Sequence, residues 1–274
     1  MRTPAVLAVL LAMAVGAPAA GAVTQTAQSG QVSASFSFRG HFPNYSHERL
    51  TITRAGQVDY NQPVVSSFCG TKCAPGSALT STSSVHVVDL EHNGQPDVVL
   101  DLFSGGAHCC TIEQIFSFDP GTVTYAKTER DFGDAGTNIV DLRHDGRFEF
   151  LSADDTFAYR FTDFAASGLP IQILTFSGRR FTNVTRSYPG LIAKDAARWM
   201  HAFRSLKRFH YTDSVGVVAA WAADEELLLH GRLVNRFLAA QAHAGHLNSS
   251  SGQASGQRFI AHLRRFLRRR GYVG

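Results

Sequence analysis

Residues 89–97, with the sequence DLEHNGQPD, carry an oxygen-bearing group at every second position. Ca²⁺ in proteins takes about six to eight oxygen ligands at about 2.3–2.6 Å, so a short loop must present such groups repeatedly. Gly94 stands where the chain has to bend sharply, which glycine tolerates. The candidate ligands, with Gln95 acting through its backbone carbonyl, are Asp89, Glu91, Asn93, Gln95 and Asp97. We therefore predict one calcium site in this loop.

Two other interpretations apply to the same loop. An EF-hand requires a glutamate at position 12, but that position is Leu100, and β-like rather than helical sequence flanks the loop. The EF-hand is therefore excluded, and the carboxylate of Asp97 closes the loop instead. Asp, Asn and Gly are also favoured in any tight turn, because they tolerate left-handed backbone and bond their own main chain. A solvated turn between two strands remains the alternative.

A second segment, DLRHDGRFE, repeats the frame at residues 141–149. Asp141, Asp145 and Glu149 occupy ligand positions, but Arg143 stands where the third position should offer an oxygen. A guanidinium there can take the place of the cation and neutralise the carboxylates itself. We predict that this second loop is free of metal.

The two loops belong to a longer internal repeat of strand-like sequence. VVDLEHNGQPDVVL begins at residue 87 and IVDLRHDGRFEFL at residue 139, and a second pair of similar segments follows each of them. The repeat units span about 85–138 and 139–189 within a β region of 23–189. ERLTITRAGQVDYNQPV predicts a hairpin around Ala55 and Gly56 and is a candidate half copy. A period of 50 to 60 residues with several short strands is typical of propeller blades or another stacked β array.

The loop pattern D-x-[DEN]-x-[DN]-G-x-x-[DE] between two strands resembles the FG-GAP, or VCBS-type, repeat. Such repeats form the propellers of integrin α-chains and occur in many secreted bacterial proteins. SGGAHCC, at residues 104–110, is similar to a segment of exported bacterial proteins of unassigned function. The resemblance implies calcium at the first loop and most of one blade per repeat. The β region supplies only about two and a half blades, so we expect an incomplete propeller-like array whose open edges must be covered.

The N-terminus predicts export. Residues 1–22 combine an early arginine, an apolar run of about a dozen residues and a small-residue cleavage site near Ala22, as in a secretory signal peptide. Four cysteines follow, and outside the cytoplasm they are expected to form disulfides. Three pairings are open. We favour bonds between the two clusters over bonds within them; the cysteines are Cys69, Cys73, Cys109 and Cys110.

Other groups of histidines, cysteines and carboxylates could bind a metal or act as nucleophiles, but structural explanations are favoured for each of them. Zinc bound by His108 and three of the cysteines, or a cysteine nucleophile paired with His108, is less favoured than disulfides. His243 and His246 are better explained as surface residues than as metal ligands. Asp154 and Asp155 form a carboxylate pair in a turn that we expect to be solvated. No nucleophile elbow, phosphate-binding loop or dinucleotide fingerprint occurs in the sequence.

After residue 189 the pattern becomes helical. Residues 190–244 predict a first helix with its apolar stripe on Ile192, Ala196, Trp199, Phe203 and Leu206, and a second from Asp213 to about Ala244. The second helix is expected to present Leu229, Leu233 and Phe237 on one face. Residues 245–257 predict a flexible linker. Whether the helices form a separate domain or cover the sheets is left open.

Residues 258–274 predict a basic amphipathic tail helix. Its apolar side, Phe259, Leu263, Phe266 and Leu267, favours docking on the protein, with an anionic surface as the alternative partner. The arginines available to such a surface are Arg264, Arg265, Arg268, Arg269 and Arg270. The remaining chain is close to neutral, so specific nucleic-acid binding is not expected.

Together these patterns predict a mainly β protein with a C-terminal helical region, α+β overall. The expected function is that of an exported, calcium-binding and non-enzymatic scaffold that binds a protein or glycan ligand. The alternatives are a secreted hydrolase with its site between the β region and the helices, or an envelope-associated protein held by its basic tail.

Overall fold

The computed structural model describes residues 21–76, 82–107 and 109–273. These residues form three antiparallel sheets followed by four helices, which confirms the α+β class. The strands are β1 (Val23–Ser29), β2 (Val32–His41), β3 (Asn44–Arg54), β4 (Gln57–Pro63), β5 (Ala74–Pro75), β6 (Val85–Val88), β7 (Asp97–Gly106), β8 (Cys109–Asp119), β9 (Thr124–Asp131), β10 (Asn138–Val140), β11 (Glu149–Ala153), β12 (Ile171–Ser177) and β13 (Arg180–Asn183). The helices are α1 (Pro189–Arg208), α2 (Val215–Leu227), α3 (Gly231–His243) and α4 (Gly256–Arg269).

The second sheet, β5 to β9, lies between the first, β1 to β4, and the third, β10 to β13. Its strands alternate, so that Val98 and Leu100 on β7 pack with residues of the first sheet while Val99 faces the third. On β8, Phe116 faces the first sheet and Ile115 the third. Because both faces of this sheet are covered, residues 98–103 of β7 are apolar at consecutive positions except for Asp101.

The internal repeat is visible as two matching meanders. Strands β6, β7, β8 and β9 pair in sequence, and β10, β11, β12 and β13 pair in the same order. The hairpin predicted as a half copy of the repeat is instead part of a complete four-stranded sheet, β1 to β4. Within the described ranges the three sheets do not close into a propeller.

The hairpin predicted around Ala55 and Gly56 joins β3 to β4. Both residues have positive φ, 48° and 83°, as a two-residue turn matched to the strand twist requires.

The helical region differs from the prediction at one place. The expected single helix from Asp213 to Ala244 is wrong, because the chain breaks between α2 and α3. Leu229 has a φ of 65° at this break and is 77 % exposed, so it is not on a buried face. In α3, Val234 and Leu238 are buried in the core, and Phe237 packs against it 4.3 Å from the Trp221 ring, as predicted, whereas Leu233 is 41 % exposed.

The apolar side of α4 is buried in the helical core, as the docking interpretation expects. Phe259 and Leu263 are fully buried there, and Phe266 and Leu267 almost so. They share this core with Val218 and other residues of α2, a helix whose residues 215–224 are all buried. None of the described helices is long and apolar enough to cross a membrane.

The disulfides are formed within the two cysteine clusters, so the expectation of bonds between clusters is wrong. Cys69 pairs with Cys73, and Cys109 pairs with its neighbour Cys110. All four cysteines belong to or pack against the same core between the first two sheets. The choice among pairings depends on this three-dimensional packing, which spacing along the chain does not encode.

The Cys69–Cys73 bond is expected to contribute about 2 kcal/mol, whereas a bridge closing a loop of roughly 40 residues would contribute about 4 kcal/mol. Cleavage before Asp59, Asp89, Asp101 and Asp119 without reduction tests the pairing by mass spectrometry. Within-cluster bonds leave peptides 59–88 and 101–118 separate. A disulfide-linked mass of the two peptides would contradict the structure.

Candidate functional site

The first loop connects β6 to β7, and the side chain of Asp89 holds its backbone in shape. Asp89 Oδ1 accepts a hydrogen bond from the Asn93 amide at 3.0 Å, and Oδ2 accepts one from the Gly94 amide at 2.7 Å. Asn93 Oδ1 in turn accepts from the Gln95 amide at 2.8 Å. Gly94 has a φ of 78°, a backbone conformation that favours glycine, as predicted for this bend.

The second loop connects β10 to β11 with the same backbone. Asp141 accepts from the amides of Asp145 and Gly146 at 3.1 and 2.9 Å, and Asp145 accepts from the Arg147 amide at 3.0 Å. Gly146 has a φ of 83°, close to that of Gly94 in the first loop. The two loops therefore have the same backbone conformation, although some of their side chains differ.

The loops differ at the third position, where Glu91 corresponds to Arg143. Arg143 Nε donates to the Tyr188 hydroxyl at 3.0 Å, and the guanidinium lies 4.9 Å from the centre of that ring. The Tyr188 hydroxyl donates to Glu149 Oε1 at 2.5 Å. Arg143 thus reaches the ninth-position carboxylate through Tyr188, and its positive charge lies beside the second loop.

Four of the five predicted ligands of the first loop line one cleft of about 340 Å³. These are Glu91, Asn93, Gln95 and Asp97, and the lining also includes Asp119 and Arg179. The side-chain carbonyl of Gln95 accepts a hydrogen bond from Arg54, which leaves its backbone carbonyl as the predicted calcium ligand. The cleft presents carboxylate and amide oxygens, which suit a hard cation.

Asp97 is 6 % exposed at the start of β7. Burial raises the pKa of this carboxyl to about 6, the Ser117 hydroxyl opposes the rise, and the neighbouring carboxylates of Glu91 and Asp89 add to it. The negative charges of the loop therefore repel one another, and a bound cation would relieve that repulsion.

The carboxylates of the first loop are not gathered as tightly as in a finished metal site. Among the described residues, the one group of three whose ligand atoms all lie within 4.8 Å of one another is Cys109, Cys110 and Asp131. The two sulfurs of that group are bonded to each other, so they do not supply thiolates. His108, the candidate partner for zinc or for a cysteine base, lies outside the described residues. A calcium ion would have to draw Glu91 and Asp97 together.

The remaining sequence candidates have structural roles. Asp154, expected to be solvated, is 4 % exposed; it accepts from the Tyr272 hydroxyl at 2.8 Å and caps a short 3-10 turn. His246 Nδ1 bonds to Gln241 Oε1 at 3.0 Å near the end of α3. Arg186, which the sequence did not single out, donates to the backbone oxygens of Leu227, Gly271 and Tyr272. These contacts fix the C-terminal turn of the chain at the junction between the third sheet and the helices.

A second cleft was missed by sequence analysis. It has a volume of about 730 Å³, opens between the second and third sheets, and contains His86, Asp101 and Glu113. His86 Nε2 lies 3.0 Å from Asp101 Oδ2, and Asp101 is the direct cross-strand partner of Glu113. The signal in the sequence was a carboxylate in the middle of each of two apolar strands, β7 and β8.

Comparison with known proteins gives two distant relatives. A probable thylakoid lumen protein, sll0997 of Synechocystis sp., is 27% identical over 161 residues, which is 58% of this chain and 45% of that protein. An uncharacterized protein, y4bJ of Sinorhizobium fredii, is 29% identical over 167 residues, 60% of this chain and 23% of that protein. The chain thus matches less than half the length of either relative. No protein-family model matches, and no solved structure matches with significance.

Proposed function

We propose that this protein is an exported calcium-binding β-repeat protein that acts as a non-enzymatic binding or scaffold module. One calcium ion is bound by the first loop and none by the second. The observation that carries the proposal is the cleft of the first loop. Glu91, Asn93 and Asp97 line it, on a backbone that Asp89 holds in position.

Calcium at this loop would also link two sheets. Glu91 Oε1 accepts from the Gly178 amide at 2.6 Å, and Gly178 lies in the turn between β12 and β13. The first loop contacts the second as well, because the Phe148 amide donates to the Leu90 carbonyl at 3.2 Å. An ion that fixes Glu91 would therefore stiffen the contact between the second and third sheets.

The proposal of export is supported by the signal-peptide pattern, which lies almost entirely outside the described residues, and by the name of sll0997 as a probable thylakoid lumen protein. The repeated four-stranded meanders, β6 to β9 and β10 to β13, support an FG-GAP-like, incomplete propeller. The ligand of the scaffold is a protein or a glycan. The arginines of α4 remain the candidate contact with an anionic surface, although its apolar side is used for packing.

Calcium titration of the full chain by calorimetry tests the proposal. Extracellular calcium modules often bind with dissociation constants near 10⁻⁴–10⁻³ M, so the titration must reach tens of millimolar. We expect one ion per chain and, at a hundredfold excess over the dissociation constant, a stabilisation of about 2.7 kcal/mol in thermal melts. Asp89→Ala should abolish both effects.

Asp141→Ala is the matched control, because Asp141 makes the same two backbone hydrogen bonds in the second loop. We expect Asp141→Ala to lose stability to a similar degree but to keep the calcium response. If wild type shows no heat and no melting shift, or if both variants keep the response, the first loop is a turn and the proposal fails.

A further inference from the structure

Cys110 and Asp131 lie close together in the second sheet, at the start of β8 and the end of β9. Asp131 pairs in register with Ile112, and Cys110 and Ile112 both belong to the core between the first two sheets. Because side chains alternate along a strand, Asp131 is directed to the same face as Ile112. Cys110 is thus a diagonal neighbour of Asp131, a position from which side chains on adjacent strands can meet.

Cys109 completes a group of three potential metal ligands. Its sulfur, the Cys110 sulfur and an Asp131 carboxylate oxygen all lie within 4.8 Å of one another, which holds for no other such group in the described part of the chain. In a tetrahedral site with metal–sulfur bonds of about 2.3 Å, two ligand atoms lie about 3.8 Å apart. The fold therefore holds the three ligand atoms close to the dimensions that a small metal ion requires.

Hydrogen bonds from the backbone hold this group in position. The Cys110 amide donates to Ser104 Oγ at 2.8 Å, which ties the start of β8 to the end of β7. The Gly133 amide donates to Asp131 Oδ1 at 2.7 Å, so the carboxylate has a fixed orientation. None of the described residues donates a hydrogen bond to Asp131 Oδ2. One oxygen therefore positions the side chain, and the other is available to a metal ion.

The charge near Asp131 is mainly negative. Burial raises the pKa of the Asp155 carboxyl, and the carboxylates of Asp131 and Asp134 are near enough to add to the rise. Arg130 precedes Asp131 in β9, but its side chain is directed to the opposite face of the strand, where it packs on the Phe181 ring at 5.2 Å. Within the described ranges Asp131 forms no ion pair. A metal ion at Asp131 therefore does not have to displace a cationic side chain.

The oxidation state of the two cysteines decides whether the group can bind a metal. In the oxidised protein the sulfurs are bonded to each other and supply no thiolate. A dithiol reductant attacks one sulfur, gives two electrons and two protons to the pair, and leaves as its own disulfide. A divalent ion then replaces the two thiol protons, which pass to water, and both sulfurs bind it as thiolates. Cys109 is partly exposed, which gives the reductant access to the bond.

We propose that reduction of the Cys109–Cys110 bond creates a site for one thiophilic divalent metal ion, such as Zn²⁺ or Cd²⁺. Two thiolates and Asp131 are its protein ligands, and a water molecule takes the fourth position. Calcium prefers oxygen ligands, so this site is separate from the first loop and selects a different class of ion. The Cys69–Cys73 bond offers no equivalent site, because no described residue adds a third ligand at this distance from its sulfurs. Metal binding would thus depend on the redox state of the protein.

Titration of the full chain with Cd²⁺ tests this site, before reduction and after reduction with dithiothreitol that is then removed under nitrogen. The ultraviolet charge-transfer band of cadmium–thiolate bonds reports sulfur ligands alone, so ions bound by oxygens elsewhere do not contribute. We expect one ion per chain in the reduced protein and no band in the oxidised protein. Asp131→Asn should weaken binding about tenfold or more, since losing even a residue that only orients a ligand commonly does so. Asp134→Asn is the matched control and should stay within about threefold of wild type, because an exposed charge is screened by salt.

Cysteine variants show which sulfurs bind the ion. The double variant Cys69→Ser/Cys73→Ser should keep the band after reduction, whereas Cys110→Ser should lose it. A band that disappears in the double variant would assign the ion to other sulfurs and overturn the proposal, as would a reduced wild type without a band. An unchanged affinity in Asp131→Asn would also overturn it. A reduced chain that had unfolded would bind Cd²⁺ without regard to Asp131, so this variant detects that case as well.

Discussion

Replacing Asp224 by asparagine is expected to raise the free energy of unfolding by about 4 kcal/mol at pH 7. Asp224 lies on α2, the central helix of the helical core, and is completely buried. Burial raises the pKa of this carboxyl to about 10, and the carboxylate of Asp195 on α1 adds to the rise. Asp195 is the anion of the pair, since it accepts from the Ile171 amide, the Trp199 indole and Arg198.

The sign of the pH dependence follows from the raised pKa. The folded state keeps a proton on Asp224 that the unfolded chain releases above about pH 4, so the acid contributes full stability only below that pH. Between there and the folded pKa of about 10, stability falls by about 1.4 kcal/mol per pH unit. Asparagine cannot ionise, and it retains an N–H donor for Asp195.

Urea unfolding of wild type and Asp224→Asn at pH 5 and pH 8 measures this difference. The advantage of the variant should increase with pH. Asp134→Asn is the control, because Asp134 is exposed and surface substitutions of this kind change stability by about 0.5 kcal/mol or less. A variant that is less stable by the same amount at both pH values would mean that Asp224 is not held as a neutral acid.

The repeat was predictable because it is encoded locally. The alternation of Asp, Asn and Gly fixes the turn geometry from side chain to backbone within nine residues, so the loops at Asp89 and Asp141 have one conformation. The hairpin at Ala55 and Gly56 is local in the same sense. The contact of the first loop with the third sheet was not predictable, because the hydrogen bond from the Gly178 amide to Glu91 joins residues 87 positions apart.

The second cleft could not be predicted from local patterns in the sequence. Asp101 and Glu113 are twelve positions apart and meet only because β7 and β8 pair in one register. A shift of one residue in either strand would turn its carboxyl to the other face of the sheet, away from its partner. The sequence shows one acidic residue within each apolar strand, but it does not show that the two lie opposite each other. The same applies to the cysteines, whose pairing is decided by packing.

The break between α2 and α3 shows a limit of periodicity. Residues 215–224 are buried on every side, so they carry no stripe from which the phase of the helix can be deduced. The apolar pattern of Leu227, Leu228 and Leu229 then continues across a segment where the chain leaves the helix. Gly231, at the start of α3, was the available signal of a boundary.

Replacing Phe157 by alanine is expected to cost about 3–5 kcal/mol of unfolding free energy. Phe157 is 1 % exposed and lies in the segment that joins β11 to β12, which has no counterpart in the other repeat unit. Its ring meets Phe266 of α4 edge-on at 4.9 Å and Tyr272 at 5.5 Å. The inserted segment thus provides apolar side chains to the helical core.

The two tryptophans make this prediction measurable in one part of the molecule. Trp199 and Trp221 both lie in the helices, so their fluorescence in urea reports the helical core, whereas far-UV circular dichroism reports all elements. Phe209→Ala is the matched control, because Phe209 is 65 % exposed at the end of α1. It should change stability by about 0.5 kcal/mol or less.

Whether the fluorescence and circular dichroism transitions coincide then shows whether the protein unfolds as one unit or as two. In Phe157→Ala, a fluorescence transition that moves to lower urea together with the circular dichroism transition means that the inserted segment couples the helices to the third sheet. A fluorescence transition that moves alone means that the helices unfold first and that the sheets are stable without them. A Phe157→Ala variant as stable as Phe209→Ala would contradict the packing of the inserted segment, since a void of that size in a close-packed core cannot be neutral.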